Sequence, residues 1–475
     1  MSDIDFDTIP PSQRKPGTYI EFNTRLAMST LPGNPQRVLV IGPMLATGLA
    51  APLTAVEVFS DDQAAQLFGA GSLVASMVTA AIQANRYLKL EAIGIVDDDT
   101  DTGVSAGGAV AVAGTATKNG TLSVWIAGTQ VAVNVETGDT QAEIVPSLVS
   151  AMAKIPALLV HGAYNPVDSQ LTLSARTHGE WANDITLSAS TTATGLTLTV
   201  TPMAGGEMDP DIQPALDAVF AAGHNVLICP FSTAEALAAL SEHLTSTGSA
   251  MEQRGAIGCA GWTGSLGEGT TLASGVNDGR ISMPWYRGSV KLPAILAASY
   301  GAVLASEEDP ARPLNTLALN GMDVVSMEHR EGRTEQESAL YNGLTPIEVG
   351  PGNAVQIVRA ISTYIVNQQG AEDPSLLDIT SIRTLDYTRK ACRDRINLRF
   401  PREKNSERTP PKVKSELYDV LTKLEEAEIL ENVAANKDML KVVKSSVDKN
   451  RIDSVIPADV VNGLHVFAGR IDMIL

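Results

Sequence analysis

Residues 37–42 read RVLVIG, and the fold class turns on how this run is buried. Past Arg37 it carries four consecutive aliphatic side chains, Val38, Leu39, Val40 and Ile41, and no polar position to face water. A strand apolar on both faces belongs to a sheet covered on both sides, the usual condition of parallel sheets. Next, SDDQAAQLFGAGSLVASMVTAAIQAN (60–85) reads as helical. Ser60 is its N-cap, and Asp61 and Asp62 fall in the first turn, where the helix dipole favours carboxylates. KLEAIGIV (89–96) is a second strand, so this region is predicted as β-α-β. The alternation resumes with PALDAVFAAG (214–223), NVLICP (225–230), TAEALAALSEHLTST (233–247), GAIGCAG (255–261) and the small-residue helix KLPAILAASYGAVLAS (291–306). An α/β multidomain fold is expected, with a discontinuous core spanning 34–100 and 206–368.

Between those halves the composition shifts at DDDTDTGVSAGGAVAVAGTATKNG (97–120). Short strands follow: TLSVWIAGTQVAVNVE (121–136), QLTLSAR (170–176), DITLSAS (184–190) and GLTLTVTP (195–202). They are interrupted by one helix near AEIVPSLVSAMAKI (142–155). Residues 101–205 are therefore an inserted β-rich domain. Residues 369–459 are charged and read as helical. In SELYDVLTKLEEAEILE (415–431), Leu417, Leu421, Leu424, Ala427 and Leu430 form one stripe and Ser415 is the expected cap.

The two termini read as arms. In residues 1–33, Pro10, Pro11, Pro16 and Pro32 oppose helix, while GTYIEFN (17–23) sets Tyr19 against Ile20 and Phe22 as a short strand would. In VFAGRIDMIL (466–475), Phe467, Gly469, Ile471, Met473 and Leu475 alternate with Arg470 and Asp472. That is a strand with one face to bury, and an exposed apolar edge invites pairing with another chain.

The chain of 475 residues exceeds what one core supports, so three or four domains are expected. Net charge is -19, and of 35 basic and 54 acidic side chains 18 of each fall in 371–475, so the whole acidic excess lies upstream. An acidic body repels phosphates and anionic lipid, which argues against nucleic acid and membrane surfaces as partners. Cys229, Cys259 and Cys392 are odd in number and widely spaced, the pattern of reduced thiols. MSDIDFDTIPPSQRK lacks the apolar run of a signal peptide, and no uncharged apolar stretch is long enough for a transmembrane helix.

Fragments that suggest chemistry fail on context. Asp101, His161 and Ser282 occur in the order of a subtilase triad. However, Asp101 follows an acidic run, His161 precedes a turn-like GAYNP rather than opening a helix, and Ser282 lacks a preceding Gly-Thr. GVSAG (103–107) matches a nucleophile elbow in letters, but strands follow where a helix is required. DDDTDTG lacks the glycine and closing glutamate of a calcium loop. Gly255, Gly258, Gly261, Gly264 and Gly267 recur without a Gly-Lys pair, which indicates tight packing rather than a phosphate cradle. His161, His178, His224, His243, His329 and His465 have no helical partner spacing for zinc. No catalytic residue, metal or cofactor is assigned, and a structural or binding role is favoured.

Several long stretches resemble the contractile tail sheath proteins of myophages, above all those of Mu-like phages and prophages. They are KPGTYIEFN (15–23), RVLVIGPM (37–44), EDPARPLNTLALNGM (308–322), EDPSLLDITSIRTLDYTRKACRDRINLRFPREK (372–404), TPPKVKSELYDVLTKLEEAEILEN (409–432) and NRIDSVIPADVVNGLHVFAGRIDMIL (450–475). The resemblance implies a helical homopolymer of stacked rings around a tail tube protein, contracting between two states to drive the tube through an envelope. Its further partners would be baseplate and tail terminator proteins. It implies assembly in the host cytoplasm, residence in the virion, and no cofactor or enzymatic turnover. It also implies a central subtilisin-like α/β core without a triad, an outward β-rich domain, and an α+β C-terminal domain (369–459) facing the tube. Arg393, Arg395, Arg399, Arg402 and Lys404 would then lie in or near the inner wall. The arms would donate strands to neighbours through Tyr19, Ile20 and Phe22 at one end. At the other, within 460–475, the donors would be Val466, Phe467, Ile471, Met473 and Leu475. Alternatives are the sheath of a phage-derived bacteriocin or injection device and, remotely, a subtilase-like serine hydrolase.

Overall fold

The computed structural model describes residues 15–18, 31–96 and 103–474. Along the chain the first half of the core runs β1 (Arg37–Met44), β2 (Val56–Glu57), α1 (Asp61–Phe68), α2 (Leu73–Ala84) and β3 (Lys89–Val96). The segment expected as one helix is two. Gly69 and Gly71 adopt φ of +87° and +85°, a region that favours glycine, and they break it. Each helix has its own cap, Ser60 accepting from the Gln63 N–H and Ser72 from the Ala75 N–H, both at 3.2 Å.

The insert comprises β4 (Gly107–Gly114), β5 (Gly120–Ile126), β6 (Thr129–Val135), α3 (Gln141–Met152), β7 (Val160–Asn165), β8 (Gln170–Ala175), β9 (Leu187–Thr191) and β10 (Leu196–Ala204). Its strands form two antiparallel sheets, ordered β10-β4-β8-β7 and β6-β5-β9.

The core then resumes with α4 (Gln213–Ala218), β11 (Val226–Ile228), α5 (Ala234–Gly248), β12 (Ile257–Cys259), α6 (Leu266–Val276), β13 (Ile281–Ser282), β14 (Pro284–Trp285), α7 (Pro293–Leu304), α8 (Arg333–Tyr341), β15 (Thr345–Val349) and β16 (Val355–Ile357). Strand order is β13-β12-β11-β1-β3-β2, all parallel except the short β2. Val38, Leu39, Val40 and Ile41 are fully buried, as the two-sided apolar run requires. A Cβ on Gly258 would point at Leu240 and Leu244 of α5, and one on Gly301 of α7 would meet Ile228. Tyr300 of α7 lies near Cys259, next to Gly258 on the strand, and successive strand residues face opposite ways. Helices therefore cover both faces. Buried nearly all round, α7 is rich in Ala and Gly, which lets neighbours approach closely.

Beyond the core lie α9 (Ile379–Arg399), α10 (Thr409–Glu426) and the antiparallel pair β17 (Lys441–Lys444) and β18 (Ile452–Val455). The chain divides into two compact units. The larger holds residues 34–387 and 460 onward; the smaller holds 388–459 with the described N-terminal residues up to Gly33. The division falls inside α9, where no change of composition marks it, and the inserted sheets belong to the larger unit.

Ser415 is not a cap: α10 begins six residues earlier, at Thr409, with Pro410 and Pro411 in its first turn, where a missing N–H costs nothing. Leu417, Leu421 and Leu424 are buried as expected. The helix ends at Glu426, so Ala427 is exposed while Leu430 is buried beyond it.

Gly261, after β12, carries a test of this packing. A Cβ there would collide with the Pro293 carbonyl oxygen at the start of α7, a backbone atom that cannot rotate away. Gly261→Ala should destabilise the larger unit by about 2–3 kcal/mol. A thermal melt matching wild type would show that α7 does not approach this closely.

Candidate assembly interface

Sequence alternation predicts a strand over 466–475, yet residues 461–474 form neither strand nor helix. Among the described residues, 466–474 make no main-chain hydrogen bond. Val466, Phe467, Ile471 and Met473 are 78%, 88%, 99% and 80% exposed. Water-exposed side chains of this size are unremarkable singly, but four in one short segment mark an interaction site. Leu475, Tyr19, Ile20 and Phe22 lie outside the described residues.

A complementary feature lies in the smaller unit. In β17 and β18, Lys441 pairs with Val455 and Lys444 with Ile452, and among the described residues neither strand has a third partner. Val443 and Val455 are more than half exposed. Two strands alone are marginal in water, and each open edge offers unpaired N–H and C=O groups. The sequence reading missed this hairpin, taking 369–459 as helical. Its signals were short: KVVK and IDSV flanking a Ser/Asp/Asn-rich turn.

The five cations expected near an inner wall part company. Arg395 is buried, its guanidinium 3.0 Å from Glu416 and 2.6 Å from Asp419 of α10. Burial works against its charge, but the two carboxylates more than offset that and raise its pKa. It therefore braces α9 against α10. Arg399 is exposed and lies 3.5 Å from Glu416; Arg393 is half-buried and 3.4 Å from Asp394. Arg402 and Lys404 are exposed on the loop after α9. Leu31, Pro32 and Gly33 border a groove of about 350 Å³ with Ala391, Leu398 and Val420, and Lys390 Nζ donates to the Gly33 carbonyl at 2.7 Å.

The triad fragments are not a site. Ser282 is fully buried and donates to the Ile361 carbonyl at 2.6 Å, with Tyr300 Oη at 2.7 Å. His161 is exposed within β7, where a turn was expected; the GAYNP stretch pairs along β8 instead. Asp101 is outside the described residues. After GVSAG comes β4, not a helix. The Cys229 and Cys392 thiols are pushed up to about 12 and about 11, mainly by burial, and Cys259 is raised by burial too, so none is poised as a nucleophile.

Two family descriptions match this chain: "Phage tail sheath protein central domain" over residues 205–363 and "Phage tail sheath C-terminal domain" over 371–474. The Mu-like prophage FluMu tail sheath protein of Haemophilus influenzae is 33% identical over 494 aligned positions, covering 99% of this chain and 100% of that protein. Among solved structures, a sheath tail protein of Desulfitobacterium hafniense shares the fold at TM-score 0.51 and 14% identity, covering 94% of this chain and 97% of its own. A chain of the anti-feeding prophage baseplate in its contracted state shares it at TM-score 0.51 and 11% identity, covering 98% of each.

Two substitutions separate structure from chemistry here. Ser282→Ala removes a buried hydroxyl and should cost about 1–3 kcal/mol with no change in labelling by an active-serine probe; probe labelling that depends on Ser282 would revive the hydrolase. Arg395→Ala removes the cation shared by two carboxylates, leaving Glu416 to Arg399 and Asp419 to Lys423, and should lower stability by about 1 kcal/mol in a denaturant titration. An unchanged midpoint would return Arg395 to the surface charges.

Proposed function

The chain belongs to the phage tail sheath family, and from that premise we propose that its copies polymerise by strand exchange. It is a structural subunit of a contractile tail sheath, without enzymatic turnover. The observation that carries the exchange is the coexistence in one chain of an apolar arm at 466–474 and a two-stranded sheet, the arm unpaired and both sheet edges open among the described residues. An arm from one neighbour adds to one edge and an arm from another, through Tyr19, Ile20 and Phe22, to the second. Main-chain hydrogen bonds join the copies, and Phe467, Ile471 and Met473 set the register by facing one side.

A contact of this kind is head-to-tail, so with a rise per copy it generates an open helix rather than a closed ring. Arms keep neighbours linked while the bodies change their contacts, the rigid-body repacking that a contractile polymer needs. The further reading is a sheath around a tail tube protein, ending on baseplate and terminator proteins, assembled in the host cytoplasm and carried in the virion. Arg393, Arg395, Arg399, Arg402 and Lys404 are the candidates for in or near the tube-facing wall, of which Arg399, Arg402 and Lys404 are exposed. The five parallel strands follow the order β13-β12-β11-β1-β3 with helices on both faces, which supports a subtilisin-like core that has lost its triad. A phage-derived injection device is the second reading, favoured by the fold shared with the contracted anti-feeding prophage chain.

Deletion of Gly469–Leu475 should leave melting of the body unchanged and abolish hollow tubes in negative-stain micrographs, with or without the tube protein. Normal tubes from the truncated chain would exclude strand donation by this segment.

A further inference from the structure

The root of the C-terminal arm is inverted with respect to ordinary burial. Leu464 and Val466 are 81% and 78% exposed, while the ring of His465 between them is only 14% exposed. Left to itself, a segment in water turns its aliphatic side chains inward and its imidazole outward. Here the polar residue is the one held.

Two residues of the larger unit face it, Asn315 and Asp378. Asn315 Nδ2 lies 3.0 Å from His465 Nδ1, which fits a neutral ring accepting there and carrying its proton on Nε2. That Nε2 faces Asp378 Oδ1 at 3.5 Å without a hydrogen bond to it, so Asn315 makes the one hydrogen bond to the ring among the described residues. Asp378, just before α9, is itself fixed by a bidentate pair with Arg359, at 2.8 and 2.7 Å. Asn315 is fixed by its successor, for the Thr316 N–H donates to the Ile357 carbonyl at the end of β16 at 2.8 Å. Close by, Gly463 passes so near Pro313 that a Cβ there would lie 2.6 Å from its ring. Burial lowers the His465 pKa despite the Asp378 carboxylate, which keeps the ring in the neutral form this geometry uses.

We propose that His465 is a positioning residue, a latch held by Asn315 beside the Asp378 carboxylate, that fixes where the C-terminal arm leaves the body and so presents Val466–Leu475 to a second copy of this chain. The proposal rests on the strand-donation reading. Ten extended residues reach at most roughly 35 Å. With the root fixed, that reach starts from a defined point and only the arm itself is ordered on assembly. With the root loose, residues 460–465 must be ordered as well, and the effective concentration of the arm at its receiver falls.

Two measurements test it. Spin labels at V466C and Y341C, both exposed sites of the larger unit, report the root directly in the unassembled chain, since the three native thiols are buried. Wild type and His465→Asn, whose side-chain oxygen can replace Nδ1 as acceptor, should give a narrow distance distribution, and His465→Ala a broad one. In unlabelled chains, His465→Ala should raise the critical concentration for tubes roughly tenfold, with His465→Asn close to wild type and the melting of all three alike. Equal distances and equal critical concentrations in His465→Ala would overturn the latch; so would a large drop in melting temperature, which would make His465 an ordinary packing residue. Failure of wild type to form tubes would instead count against the sheath reading, while the distances would still judge the latch.

Discussion

An unpaired strand of mixed polarity cannot be stable alone, and this constraint organises the molecule. Fixing one residue's backbone costs roughly 1–2 kcal/mol, whereas a main-chain hydrogen bond returns about 1 kcal/mol net. Hydrogen bonds alone therefore do not hold a donated strand. The surplus must come from side chains, at roughly 1.5–3 kcal/mol for each large apolar one buried. Phe467, Ile471 and Met473 are the side chains available for this, and all stand in water in the isolated chain. The hairpin β17–β18 has the complementary deficit, two edges and too few strands. Each feature is a weakness in a monomer, and in the proposed polymer each would become a joint.

The rest of the larger unit supplies rigidity. A parallel sheet with Val38 to Ile41 fully buried and helices close-packed on both faces has no soft direction in which to yield. Close approaches at Gly258, Gly261 and Gly301 replace side-chain bulk by backbone contact. Of the glycines at three-residue spacing, which look in sequence like a phosphate loop without its lysine, Gly255, Gly258, Gly261 and Gly264 are closely packed and Gly267 faces open space. In the smaller unit, Arg395 has the same bracing role by different means, a charge shared between Glu416 and Asp419. A body that holds its shape can transmit a change at one contact to the next copy.

Legibility followed the range of the interaction. The core strands and helices were readable because burial on two faces leaves a local record in RVLVIG, KLEAIGIV and KLPAILAASYGAVLAS. The break at Gly69–Gly71 was missed because Ala and Gly around it fit a continuous helix equally well. The start of α10 was missed because Pro410 and Pro411 read as breakers, although the first turn tolerates them. Among the cations, α9 offers Arg393, Arg395 and Arg399 in one charged run, and nothing in their spacing says that Arg395 meets two carboxylates from a helix some twenty residues on. The arm was legible as an alternation, but an alternation fixes which side chains share a face and not whether a pairing edge is within reach, and residues 461–474 form no strand.

His465 shows how these levels meet. In sequence it is one histidine of six, without helical spacing, next to a valine and a leucine. Its meaning comes from Asn315 and Asp378, 150 and 87 residues upstream, and from the exposure of its own neighbours. A strand that must be donated needs apolar side chains left uncovered, and such side chains would normally fold back onto the nearest apolar surface of the same molecule. Holding the root by a polar residue opposes that collapse. It secures the chain through hydrogen-bonding geometry, which apolar side chains cannot satisfy, and leaves Val466 and Phe467 pointing outward. The polar latch and the apolar arm are thus two halves of one solution, one specifying position and the other supplying the free energy of joining.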